Sequence, residues 1–137
     1  MTHPRRVVLD ASAVVEWLLA RDDKELIDRL LPLAIIPVPS LTEALYIGSL
    51  ARHGLPETEL YSTLMVAGAQ VEGVNDDDAI RAAELIAGSR RSSSTKGGLS
   101  LGDGLTIAVA ERLALPITGG DQYWETLELR TTYFPFR

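Results

Sequence analysis

Three apolar residues in succession, Val7-Val8-Leu9, end on Asp10 and lead through Ala11-Ser12-Ala13 directly into residues at helical spacing. No other stretch narrows the possible folds as much. An apolar run without alternation suits a strand covered on both faces, as in a parallel sheet sandwiched between helices. Asp10 then stands at the carboxyl end of that strand. Open α/β sheets bind ligands at this edge, because the loops splay there and helix amino termini point into the crevice. A plainer role is equally open, since Asp is among the best helix N-caps.

The rest of the chain alternates in the same way. Ala13, Val14, Trp17 and Leu18 recur at helical spacing, and Leu26, Ile27, Leu30 and Leu31 form a second helical pattern ending at Pro32. Residues 34–39 read as a short strand, with Pro37 at its end or where no ladder hydrogen bond is needed. Ser40 and Glu43, three apart, read as a capping box opening a helix through Leu50 that Gly54 and Pro56 close. Residues 57–70 read as another helix, and residues 71–74 as a third strand.

Asn75-Asp76-Asp77-Asp78 resembles a metal loop, but Ala79, Ile80, Ala82 and Ala83 continue at helical spacing. Acids in a first turn complement the helix dipole, and that reading is preferred. Residues 89–98 are polar, basic and free of acids, which predicts a surface loop. Its Arg90, Arg91 and Lys96 are candidate contacts for RNA phosphates, against the simpler view of a solvated connection. Ser100 and Asp103 then open the most apolar helix, residues 115–118 form a strand ending at Gly119-Gly120-Asp121, and Trp124 and Leu127 start a last helical turn. Residues 131–134 suit an edge strand. The whole predicts one α/β domain over residues 1–137 with a mostly parallel sheet.

Composition excludes several functions. A net charge of -6 argues against a generic basic nucleic-acid binder, although a local basic patch or bound metal ions would still admit nucleic acid. With no cysteine, zinc-thiolate sites and thiol nucleophiles are removed, and a reducing cytoplasm is compatible. No stretch reads as a signal peptide, and none reaches the roughly 18 apolar residues of a membrane span.

Asp10, Glu43, Asp103 and Asp121 share a feature: each follows a predicted strand or stands in the first turn of a helix. Each has a structural explanation, as a capping-box member or a turn residue. Together they suggest more, because the strand-to-helix junctions of a doubly wound sheet lie along one edge, where separated acids converge. Four carboxylates about 5 Å apart would repel by roughly 3 kcal/mol per pair at an effective dielectric near 20. A divalent cation would offset that repulsion, and all-oxygen ligation selects Mg²⁺ or Mn²⁺ over zinc.

In these residues the chain resembles PIN-domain nucleases, and among them the VapC toxins of toxin–antitoxin pairs. The similarity rests on residues 8–13, on Glu43 early in a helix after the second strand, on residues 99–105 before a long apolar helix, and on residues 115–117 leading to Asp121 and Trp124. It implies a three-layer α/β/α fold, with Asp10, Glu43, Asp103 and Asp121 as the catalytic and metal-holding quartet and Ser12 as a supporting hydroxyl. It also implies Mg²⁺ or Mn²⁺ as cofactor, hydrolysis of RNA phosphodiesters, a homodimer and a small antitoxin partner. One departure stands out. The family usually has Thr or Ser two residues before the last acid, where this chain has Gly119, and Thr118 lies three before.

Other readings compete. Gly98-Leu99-Ser100-Leu101-Gly102 matches a nucleophile elbow, but no strand precedes it and no histidine follows Ser100. An aspartyl-nucleophile phosphatase would want a second Asp where Ser12 stands. His3 and His53 fall outside every junction named and read as surface residues. The strongest alternative is a PIN-like domain that binds RNA or a protein partner without cleaving.

Overall fold

The computed structural model describes residues 5–52, 55–92 and 98–137. Lys96, His3, His53 and Gly54 lie outside them. Five strands, β1 (Val7–Leu9), β2 (Ala34–Pro37), β3 (Gln70–Glu72), β4 (Ile117–Gly119) and β5 (Tyr133–Pro135), form one sheet in the order β3-β2-β1-β4-β5. Every pairing is parallel. Among the described residues six helices cover it: α1 (Ala11–Leu18), α2 (Lys24–Leu30), α3 (Val38–Ala51), α4 (Glu57–Val66), α5 (Asp76–Ser92) and α6 (Leu101–Leu113).

The opening run occupies the centre of the sheet, hydrogen-bonded on both sides. Leu9 and Ile36 point into one apolar cluster with Val14, Leu18, Ile27 and Leu64 from α1, α2 and α4. Val8, Ile35 and Ile117 point the other way, against Ile107 of α6 and Trp124. This places helices on both faces and explains the missing alternation. Full burial of Val8 and Leu9 contributes about 1.5–3 kcal/mol for each side chain. From β1 the chain moves to β2 and β3 on one side and later returns to β4 on the other. The order reverses between β1 and β4, the kind of switch point at whose carboxyl ends open α/β sheets bind ligands.

Three expectations need correction, the first being the helix over residues 57–70, which ends at Val66 so that β3 already begins at Gln70. Residues 34–39 do not form one strand: β2 stops at Pro37, and α3 begins at Val38 with a proline in its first turn, where a missing N–H costs nothing. The Ser40–Glu43 capping box therefore does not form. Ser40 is buried inside the helix, and its hydroxyl lies 2.5 Å from that of Thr106 on α6. Likewise residues 89–98 are not all loop, because α5 continues to Ser92. Its last turn is tied down: the Leu99 N–H donates to Ser89 Oγ at 2.9 Å and Arg90 donates to the Leu99 carbonyl at 3.3 Å.

The remaining helix starts follow the sequence. The Asn75 side chain accepts from the Asp78 N–H, and Asp78 reciprocates, so the acidic run is a helix start. Ser100 and Asp103 form the expected capping box on α6. Gly104 of α6 passes so close to α5 that a Cβ there would lie 2.7 Å from Ile86, which only glycine permits. Among the described residues, no helix is long and apolar enough to cross a membrane.

Candidate active site

Asp10 fills the capping role the sequence offered, and its burial goes beyond what that role needs. It caps α1, its Oδ2 accepting from the Ser12 N–H at 3.3 Å and the Ser12 hydroxyl at 2.8 Å, yet it is only 6% exposed. A cap alone gains nothing from such burial. Burial pushes its carboxyl up to about 6, partly offset by the Ser12 hydroxyl and reinforced by the negative charge of Asp103.

The Ser12 hydroxyl also accepts the Gly120 N–H at 2.7 Å, while the Asp10 N–H donates to the Thr118 carbonyl at 3.0 Å. Together these bonds join the end of β1 to the turn after β4. Gly119 makes the approach possible. A Cβ there would lie 2.9 Å from Asp10 Cβ and 3.1 Å from Asp10 Oδ2, so the Thr or Ser usual at this place cannot stand here without displacing Asp10.

Asp103 enters from the first turn of α6. Its carboxyl is raised by burial, lowered by its bonds with Ser100, and raised again by Asp121. Glu43, on the second turn of α3, is raised by burial and then by Asp103. Asp121 caps the 3-10 turn Gln122–Thr126 by accepting the Tyr123 N–H at 3.0 Å. Asp103 is thus the electrostatic neighbour of all three other acids. The sequence expected the four on one edge; in the fold each of the other three shares a charge interaction with Asp103.

They do not form a closed shell. Among the described residues, no three acidic or histidine side chains are gathered tightly enough to hold a metal ion. The donor chemistry nevertheless fits a hard divalent cation, since the converging groups are carboxylate and hydroxyl oxygens. Arg137, whose guanidinium lies against Gly120, is paired with the buried Glu16 at 3.1 Å.

Sequence reasoning missed Tyr133. Its hydroxyl donates to the Asp121 carbonyl at 2.8 Å, and its ionisation is pushed upward by burial and then by the charge of Asp10. The sequence marks it only as part of an edge strand, because nothing local says that β5 will align Tyr133 with Ile117. Of the proposed RNA contacts, Arg91 is exposed on the last turn of α5 and Arg90 is tied to Leu99.

With this geometry in view, the comparisons with known proteins agree. The PIN domain model matches residues 7–125, and the chain belongs to the PIN domain family. Its fold is similar to VapC20 of Mycobacterium tuberculosis, a sarcin-ricin loop cleaving toxin, at 18% identity and a TM-score of 0.69 over 90% of this chain and 95% of that one. DNA-bound VapBC of Salmonella typhimurium aligns at 12% identity and a TM-score of 0.71, over 98% and 100% of the two chains. VapBC-5 of Mycobacterium tuberculosis aligns at 24% identity and 0.58, over 98% and 99%. No curated protein sequence matches the chain.

Proposed function

We propose that this protein is a metal-dependent endoribonuclease, the toxin of a toxin–antitoxin pair, acting on RNA in the cytoplasm. The reading is supported by the mutual influence of Asp103 and the other acids beside the point where the strand order reverses: the Asp103 charge raises the carboxyls of Asp10 and Glu43, and the Asp121 charge raises that of Asp103.

In this reading the four carboxylates hold Mg²⁺ or Mn²⁺, and Ser12 keeps the Asp10 carboxylate facing the crevice. The ion, when bound, would lower the pKa of a water and offset charge on the leaving oxygen. Asp10 supplies a fixed ligand on a rigid strand end, which α1 cannot swing away because Ser12 is also bonded to Gly120. Asp103 is held by the capping box, and Glu43 projects from a helix pinned to α6 by the Ser40–Thr106 contact. Arg90, Arg91 and Lys96 are proposed to meet the RNA backbone. The antitoxin partner is supported by the toxin–antitoxin complexes among the structural neighbours. The homodimer rests on the family resemblance.

The test is cleavage of mixed RNA with Mn²⁺ or Mg²⁺ against chelator. Metal-dependent products that vanish in Asp10→Asn are expected. RNA that is bound but left intact by the wild-type protein would favour a PIN-like domain that binds without cutting.

A further inference from the structure

Gly119 lets Asp10 approach closely, and a second oxygen crowds the same place. A Cβ on Gly119 would lie 3.1 Å from Asp10 Oδ2 and 3.2 Å from Tyr133 Oη, so both oxygens crowd the space that a residue-119 side chain would need. The other hydroxyls nearby are engaged. Ser12 serves Asp10 and Gly120, and Thr118 turns its hydroxyl away to the Phe134 carbonyl at 2.5 Å. The Tyr133 hydroxyl reaches from β5 past Gly119 to the Asp121 carbonyl.

We propose that Tyr133 is a positioning residue of the acidic site, its hydroxyl passing close over Gly119 to hold the Asp121 turn in place. The inference rests on the nuclease reading above. The ring is anchored before it acts: its centroid lies 5.2 Å from that of the buried Trp124, and β5 is paired in register with β4. That rigidity fixes where the hydroxyl points. Asp121 needs such support because it is exposed and begins a short 3-10 turn, with its carboxylate bonded to Tyr123 N–H and its carbonyl to Tyr133. Losing the carbonyl bond would let the turn rotate and carry the carboxylate away from Asp103. Displacements of about 1 Å at a reacting centre cost on the order of 10²-fold in rate.

Tyr133→Phe keeps the ring on Trp124 and removes only the hydroxyl. The experiment compares wild type, Tyr133→Phe and Asp10→Asn in three measurements: Mn²⁺ affinity by calorimetry without RNA, kcat and KM for RNA cleavage, and thermal melts in chelator. For Tyr133→Phe, Mn²⁺ affinity and kcat should each fall by about 10–100-fold, the usual cost of removing a group that orients a metal ligand, with KM and the chelator melt near wild type. Wild-type affinity and kcat in Tyr133→Phe, with both lost in Asp10→Asn, would overturn the role of Tyr133 and leave the nuclease reading standing. A Tyr133→Phe protein that no longer melts cooperatively would also overturn it, since the hydroxyl would then serve the fold. If the wild-type protein neither binds Mn²⁺ nor cuts RNA, both readings fall.

Discussion

The two ends of α6 handle buried negative charge in opposite ways. At its carboxyl end the two acids with buried side chains each meet a guanidinium. Asp78, 2% exposed at the side chain, receives Arg112 Nε at 3.0 Å, and Glu111, 5% exposed, takes Arg81 through both oxygens at 2.7 and 3.2 Å. Arg112 also reaches Glu72 at 3.2 Å and the Gly73 carbonyl at 3.1 Å. At its amino end Asp103 shares a charge interaction with each of Asp10, Glu43 and Asp121, and among the described residues no basic side chain offsets the raised carboxyls of Asp10, Glu43 and Asp103. One end is a closed network that joins α5, α6 and β3. The other concentrates like charges, an arrangement that lowers stability unless it serves a ligand. Acidic clusters in a sequence are therefore ambiguous until their partners are known. The most conspicuous run here, Asp76-Asp77-Asp78, belongs to the structural end.

The contrast can be broken most sharply at Asp10. Asp10→Asn preserves a good N-cap, so the fold should survive, while RNA cleavage should fall on the order of 10³-fold or more, as when one member of a concerted set is removed. An RNA cleavage assay beside a chelator melt checks both halves. A variant that still cuts at the wild-type rate would place Asp10 with the structural acids.

The opposite substitution belongs at the other end. Arg112→Ala leaves Asp78 buried without its partner and should cost about 3–5 kcal/mol of stability, read from denaturant melts. A loss under about 1 kcal/mol would mean the network behaves like an exposed surface pair.

Acidity gives a third, smaller separation. Because the Asp10 carboxyl is raised from 3.8 to about 6 in the folded protein, the folded state binds its proton more tightly than the unfolded chain does. Asp10 then makes its best contribution below about pH 4, and metal-free stability falls as pH rises between about 4 and 6, by on the order of 3 kcal/mol. Melting temperature in chelator should drop across that window, and Asp10→Asn should flatten the drop. Stability that instead rises with pH over this range, with Asp10→Asn having no effect, would contradict the burial argument.

Glu43→Gln should have the smallest effect on the fold. With α3 starting at Val38, Glu43 caps nothing, so an amide there has no helix start to disturb. Relief of repulsion with Asp103 should raise metal-free stability by on the order of 1 kcal/mol, while Mn²⁺ stabilises the variant less and cleavage is lost. Paired melts with chelator and with excess Mn²⁺ read both effects. Wild-type behaviour under both conditions, with cleavage intact, would remove Glu43 from the site.

Much of this molecule is legible from its residues in order, because period and punctuation are local. Val7-Val8-Leu9 announces a strand buried on both faces, Ser100 with Asp103 a helix start, and Asn75 through Asp78 another, and each forms as read. The places of Asp10, Asp103 and Asp121 at helix starts follow from the same punctuation, whereas Glu43 lies in the second turn of α3 and not at its start. Other features depend on contacts between residues far apart in sequence. Pro37 and Pro39 permit either a longer strand or an early helix, and it is burial of Ser40 against Thr106 that accompanies the helix. Residues 89–92 carry loop composition, yet bonds to Leu99 hold them helical. Whether an acid is compensated depends on which arginine the packing of α5 on α6 delivers, and Asp78 and Asp103 look alike in sequence while only one is paired. Gly119 reads as a departure from a family pattern until Asp10 and the Tyr133 hydroxyl are seen to occupy its surroundings. Periodicity is written within a few residues of chain, whereas charge pairing and close approach are set by strand order and register, which only the folded sheet decides.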